Sequence, residues 1–230
     1  MANEFLDELK LERSEVVAKS AITRESGQAV GSSYEKELGF DPAAFLRERL
    51  KERGEASWLD LCCGAAQALI DTAKGLRVEG MLGKVSLVGV DLIPMFHLVP
   101  ADIKFLRLEA ASLSMWYANQ SFDLITSVHG LHYIGDKLGV IQRVTRWVNP
   151  GGRFLAHLDY DNVCLKNGSA RQQIGKDLAD AGFEYDSNRH MLMCQGPQQF
   201  SLAYRYLGAD DQAGPNYTGQ PAVNSYYESI

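Results

Sequence analysis

Between Ser57 and about residue 207, short apolar runs alternate with stretches whose apolar residues return every three or four positions. The first pattern predicts buried strands near 57–61, 85–90, 103–108, 122–128 and 152–158. The second predicts helices near 66–74, 136–148 and 169–181; in the first of these, Leu69, Ile70 and Ala73 keep the helical spacing. This rhythm implies a mostly parallel sheet with helices on both faces, wound by right-handed crossovers. Pro150-Gly151-Gly152 is expected to end one helix and turn the chain into the fifth strand. Two last strands are expected at about 184–194 and 199–207.

Ahead of the first strand, Phe5, Leu6, Leu9, Val16 and Val17 mark an amphipathic helix from Glu4 to about Thr23. Gly27 and Gly31 break it. A second helix runs from Asp41 to Arg53, with Asp41 as N-cap and Pro42 at its first position. Residues 1–54 therefore read as a helical addition to the core sheet, and the resemblance described below implies either a lid over a site or a packing element at the sheet's edge. Residues 55–207 form the core of a single domain. The tail, 208–230, is rich in Gly, Pro, Asn and Tyr and reads as irregular, tied to the body through Tyr217, Tyr226 and Tyr227.

The stretch Trp58–Ala73 carries the most chemistry. Apolar Trp58, Leu59 and Leu61 make a strand, and Asp60 places a carboxylate near its exit. Cys62, Cys63, Gly64, Ala65 and Ala66 then make a turn with little side-chain bulk, so a ligand can lie against backbone N–H groups at a helix start. A dinucleotide fold wants G-x-G-x-x-G for its pyrophosphate, and this turn has one glycine with an acid before it. Like charges repel, so a ligand with an amino group and no phosphate fits better. S-adenosylmethionine, with an ammonium and a positive sulfonium, is such a ligand. The next strand ends in Asp91, placed to hold both hydroxyls of a ribose, and Leu92 and Ile93 follow to pack on an adenine face.

With these residues the chain resembles the class I S-adenosylmethionine-dependent methyltransferases. LDLCCGAAQ is similar to that family's first motif and VGVDLIP to its second. The run from Arg107 to Asp136 resembles the third and fourth regions, and VTRWVNPGGRFLAHL the helix, Pro-Gly-Gly turn and fifth strand. Cys62 and Ala66 stand where the family often has glycine, and Glu109 where it more often has aspartate. The resemblance implies an α/β, Rossmann-like, doubly wound sheet of seven strands, mostly parallel, with an antiparallel last strand and added N-terminal helices. It implies S-adenosyl-L-methionine as cofactor and in-line methyl transfer to a small organic acceptor. Asp60 is expected at the amino group, Cys62 and Gly64 in the cradle, and Asp91 and Leu92 at the ribose and adenine. Glu109 and Ala110 are expected beside the adenine, Tyr34 at the carboxylate end, and His129 near the methionine part. His129 is also the candidate base; His132 is expected to bond a loop, and His157 to be a core or wall residue.

Charge and composition narrow the partners. Net charge is −6 and basic residues are scattered, which argues against a nucleic-acid face. No apolar run reaches a membrane span and no signal-peptide pattern appears, so a cytoplasmic setting is expected. The four cysteines form no C-x-x-C pair, and no metal is expected. Two other readings are a non-catalytic S-adenosylmethionine-binding protein and a nicotinamide-dependent oxidoreductase. The acceptor, the atom methylated and the oligomeric state are not written in these patterns.

Overall fold

The computed structural model describes residues 5–19, 32–81, 84–166 and 170–230. The expected helical residues 20–23, the breaks at Gly27 and Gly31, and residue 169 lie outside them. Five parallel strands, β1 (Ala56–Leu61), β2 (Val85–Asp91), β3 (Leu106–Ala110), β4 (Phe122–Ser127) and β5 (Val148–His157), build most of one sheet. After the short β6 (Val163–Leu165), the hairpin of β7 (Glu184–Asp186) and β8 (Met191–Gln195) completes it in the order β3-β2-β1-β4-β5-β8-β7. β8 runs antiparallel to both β5 and β7. The seven-stranded, mostly parallel sheet with an antiparallel last strand is therefore present.

Helices cover both faces. On one side α3 (Pro42–Arg53) and α4 (Gln67–Val78) bury Leu46, Leu69, Ile70 and Leu76 against Trp58, Leu87 and Leu124. On the other, α5 (Lys137–Val144) and α6 (Ala170–Asp180) pack Ile141, Ile174 and Leu178 against Leu59, Val88 and Ile125. Each fully buried aliphatic side chain contributes about 1.5–3 kcal/mol. The period-two alternation of Trp58 and Leu59 thus feeds two cores. At β1 the neighbours diverge, β2 on one side and β4 on the other, which opens a crevice at the carboxyl ends of the strands.

Several expectations shift. The third strand lies at 106–110, because apolar Ile103 and Phe105 pack into the core from the loop before it. The helix at 136–148 ends at Val144 in a 3-10 turn. Pro150-Gly151-Gly152 sits inside β5 as an irregularity in its pairing with β4, not as a helix-ending turn. The segment 184–194 folds back on itself as β7 and β8. β9 (Tyr204–Asp210) leaves the main sheet and pairs with β10 (Asn224–Ser229), which also pairs with β6. The tail is thus ordered, with Tyr227 buried and its hydroxyl donating to Asp136 at 3.0 Å. The N-terminal helix is interrupted at Arg13-Ser14 after the short α1 (Glu8–Glu12), and an unexpected helix, α2 (Ser32–Leu38), carries Tyr34.

Candidate functional site

The turn after β1 is tighter than its composition suggests. Cys62, Gly64 and Ala66 all adopt positive φ, at 54°, 57° and 62°. Such backbone suits glycine and costs an alanine or cysteine of order 1–2 kcal/mol. A Cβ on Gly64 would meet nothing within 4 Å, so the turn exposes open space there. Ala66 is the N-cap of α4 and offers no side-chain cap to the helix's first N–H groups.

Asp91, at the end of β2, holds this turn. Its Oδ2 accepts from Gly64 N–H at 2.8 Å and its Oδ1 from Ile93 N–H at 3.1 Å. Asp60 sits one strand over and is only 1% exposed. Its two oxygens accept from the hydroxyls of Tyr34 at 2.6 Å and Thr126 at 2.7 Å. Thr126 in turn accepts from Trp58 Nε1 at 2.7 Å. Tyr34 and Asp60, expected at the same end of the ligand, are therefore in contact. A carboxylate oxygen can accept two hydrogen bonds, so these hydroxyls orient Asp60 without excluding the amino group expected there.

A cavity of about 480 Å³, counted to its open mouth, lies beside Asp91. Cys62, Asp91, Leu92, Ala111, Leu113 and Tyr133 line it from the carboxyl ends of β1 to β4. Glu8, Glu12 and Val17 close it from the N-terminal segment, the position of a lid. Burial, aided by the charges of Glu12 and Asp136, pushes the Glu8 carboxyl above its ordinary value. The Cys63 thiol is held protonated first by burial and then by the charges of Asp60 and Asp91. The crevice is thus negative, which favours a cationic ligand and disfavours a pyrophosphate.

Glu109 and Ala110 do not join this wall. Glu109 accepts from Trp116 Nε1 at 2.7 Å and pairs with Arg107, while Ala110 is exposed. The residues that follow β3 in the wall are Ala111 and Leu113.

Past β4 the chain turns sharply at His129, whose φ is 56°. Gly130 follows because a Cβ there would sit 2.4 Å from that of Cys62. This contact sets the β4 loop directly against the cradle. His129 stacks on His157, ring centroids 4.2 Å apart and planes within 2°. Glu37 of α2 reaches both, its Oε2 3.2 Å from His157 Nε2 and 3.6 Å from His129 Nε2. Hydrogen bonding from His129, then from His157, holds the Glu37 carboxyl well below the usual carboxylate range. His157 is buried with both ring nitrogens partnered, as expected of a core residue, and burial lowers its pKa. His132 is buried and, among the described residues, neither ring nitrogen has the loop partner expected of it; burial holds it well below the ordinary imidazole value. Glu37, His129 and His157 are also close enough together to surround a single ion, although no metal was expected.

Sequence reading missed Glu37, Thr126 and the placement of Tyr217, whose hydroxyl lies 3.3 Å from His129 Nδ1. For Glu37 a signal existed: it follows Tyr34 by three residues, and that spacing on a helix puts both on one face.

A family model described as a methyltransferase domain matches residues 34–198. A demethylmenaquinone methyltransferase of Lactiplantibacillus plantarum is 29% identical over 129 residues, 52% of this chain and 48% of that protein. A protein of the same name from Halalkalibacterium halodurans is 23% identical over 195 residues, 80% of this chain and 70% of the relative. The chain spans about half the length of most curated relatives it matches. The N-methyltransferase NodS from Bradyrhizobium japonicum, solved with S-adenosyl-l-homocysteine, matches with a TM-score of 0.45 at 15% identity, covering 82% of this chain and 97% of that one. Among the described residues no helix is long and apolar enough to cross a membrane.

Proposed function

Because this chain belongs to the methyltransferase-domain family, we propose that it transfers a methyl group from S-adenosylmethionine to a small organic acceptor. The observation that carries this reading is the Asp91-held turn at the mouth of a negatively charged crevice. In the proposed complex Asp91 takes the ribose hydroxyls, and Leu92, Ala111 and Leu113 flank the adenine. The backbone at Cys62 and Gly64 lies along the methionine part, and Tyr34, braced on Asp60, meets its charged end. The α1 segment closes over the cofactor. The sulfonium already activates the methyl group, so alignment of the nucleophile supplies much of the rate.

Acidic walls suit a sulfonium and an ammonium and oppose a dinucleotide's two phosphates, which counts against the oxidoreductase reading. Calorimetric titration with S-adenosylhomocysteine and with NAD tests this. Binding of the first alone is expected; binding of NAD alone overturns the cofactor. Incubation with methyl-labelled cofactor and small metabolites tests turnover, and tight binding without any transfer of label would favour a non-catalytic role.

A further inference from the structure

Four of the five histidines, His129, His132, His157 and His190, gather past the carboxyl ends of β4 and β5, around one phenol ring. That ring is Tyr217. Its centroid is 3.9 Å from His190 and parallel to it within 5°, 5.3 Å from His132, and 6.2 Å from both His129 and His157. The hydroxyl points at His129 Nδ1. Tyr217 is 37% exposed, so part of it faces solvent.

The partners fix the protons. His129 N–H donates to His157 Nδ1 at 3.3 Å, so neutral His157 carries its proton on Nε2, facing Glu37. His129 also turns Nε2 toward Glu37, which leaves the Nδ1 lone pair toward the Tyr217 hydroxyl. A carboxylate behind an imidazole whose far nitrogen is free to accept is the arrangement of a general base and its orienting acid.

We propose that His129, positioned and charge-balanced by Glu37 and His157, is the base that deprotonates a phenol-class hydroxyl of the acceptor, so that this site forms aryl methyl ethers. The proposal rests on the methyl-transfer reading above. Tyr217 marks the seat: a phenol oxygen already fits against Nδ1, and the acceptor's hydroxyl takes its place as the exposed ring gives way. The acceptor O–H proton passes to His129 Nδ1. The oxygen attacks the methyl carbon, and the S–CH3 electron pair stays on sulfur, leaving neutral S-adenosylhomocysteine and the ether. The imidazolium, stabilised by Glu37, returns its proton to solvent.

A divalent ion held by Glu37, His129 and His157 is the competing occupant. Their ligand atoms lie within 4.8 Å of one another. The geometry opposes it. Rings stacked parallel at 4.2 Å aim their lone pairs side by side instead of at one point, and His157 Nε2 holds a proton where the ion would sit.

The test uses the full chain, tritiated-methyl S-adenosylmethionine and a series of simple phenols, some ionised at neutral pH and some with the ordinary phenol pKa of about 10. Wild type is expected to methylate both kinds. His129→Ala is expected to bind S-adenosylhomocysteine within about threefold of wild type and to lose about 10²–10⁴-fold in kcat on the protonated phenols. On the ionised phenols it should recover to within about tenfold of wild type, which a merely structural role would not allow. Glu37→Gln should lower kcat more on the protonated than on the ionised phenols, because the imidazolium that forms only with the former loses its counter-charge. Equal losses of His129→Ala on both kinds of phenol, or no ether from any phenol, overturn the proposal. So does activity abolished by a chelator, with one bound metal lost in Glu37→Gln. Failure of wild type to bind S-adenosylhomocysteine at all brings down the methyl-transfer reading with it.

Discussion

Replacing Asp91 with alanine separates its hold on the turn from the grip on a ribose proposed for it. It is 2% exposed and accepts two backbone N–H bonds, from Gly64 at 2.8 Å and Ile93 at 3.1 Å. A hydrogen bond to a charged group contributes about 1.5–3 kcal/mol, so the pair contributes about 3–6 kcal/mol in a dry site. The adjoining cavity admits water to the freed N–H groups, and we expect a net loss of about 2–4 kcal/mol of folding stability. Cofactor affinity should fall separately, by the charged bond to the ribose, about 1.5–3 kcal/mol or roughly ten- to 150-fold. Asp91→Asn keeps one acceptor oxygen and should lose about half of each. Urea unfolding reads the first quantity and calorimetric titration with S-adenosylhomocysteine the second, at a temperature where both variants are folded. A folded Asp91→Ala protein with wild-type affinity refutes the ribose assignment. Wild-type stability with reduced affinity would instead show that the turn does not depend on this carboxylate.

Gly64→Val should abolish cofactor binding while the chain still folds, at a cost of order 1–2 kcal/mol, because the new side chain enters open space from a left-handed backbone; calorimetry showing retained binding contradicts the close approach. Thr126→Val should destabilise by about 2–4 kcal/mol in urea, since it leaves Trp58 Nε1 without its acceptor and takes one donor from Asp60 in a buried site, whereas Thr126→Ser should stay near wild type. Stability should fall as pH drops below about 6.5: burial lowers the folded pKa of His132 and His157, so the unfolded chain binds more protons there, and a flat profile between pH 7.5 and 5.5 argues that these rings are not held neutral. Lys137→Met should destabilise by about 2–4 kcal/mol, because the buried Lys137 Nζ bonds to Ile134 O, Val223 O and Ser225 Oγ and so ties β4's loop to the tail; unchanged unfolding would show the tail is held by packing alone.

The first strand, its turn and α4 were legible because each rests on local causes: an apolar run, small residues, and a helical repeat of Leu69, Ile70 and Ala73. Asp91 could be placed for the same reason, as the last residue of a strand that reads cleanly. What the sequence hid was pairing. Tyr204–Asp210 looks like a strand, but nothing local says that its partner is Asn224–Ser229 and not the main sheet. Glu37 sits in a charged run, Glu35-Lys36-Glu37, that reads as a solvated face until β4 and β5 bring two imidazoles to it. Left-handed Cys62, Ala66 and His129 were equally silent, because their residue types do not advertise positive φ. Nor does the sequence show that Glu109 pairs with Arg107 and Trp116, because an acid near a strand end fits such partners as well as it fits a ligand.

The central claim is that the Asp91-braced turn holds an adenosyl amino acid with its sulfur toward the histidine cluster. A crystal structure with S-adenosylhomocysteine tests it most directly. The account predicts the ribose hydroxyls on Asp91, the methionine chain along Cys62 and Gly64, and the thioether sulfur facing His129. An empty crevice, or the nucleoside bound at another surface, contradicts it.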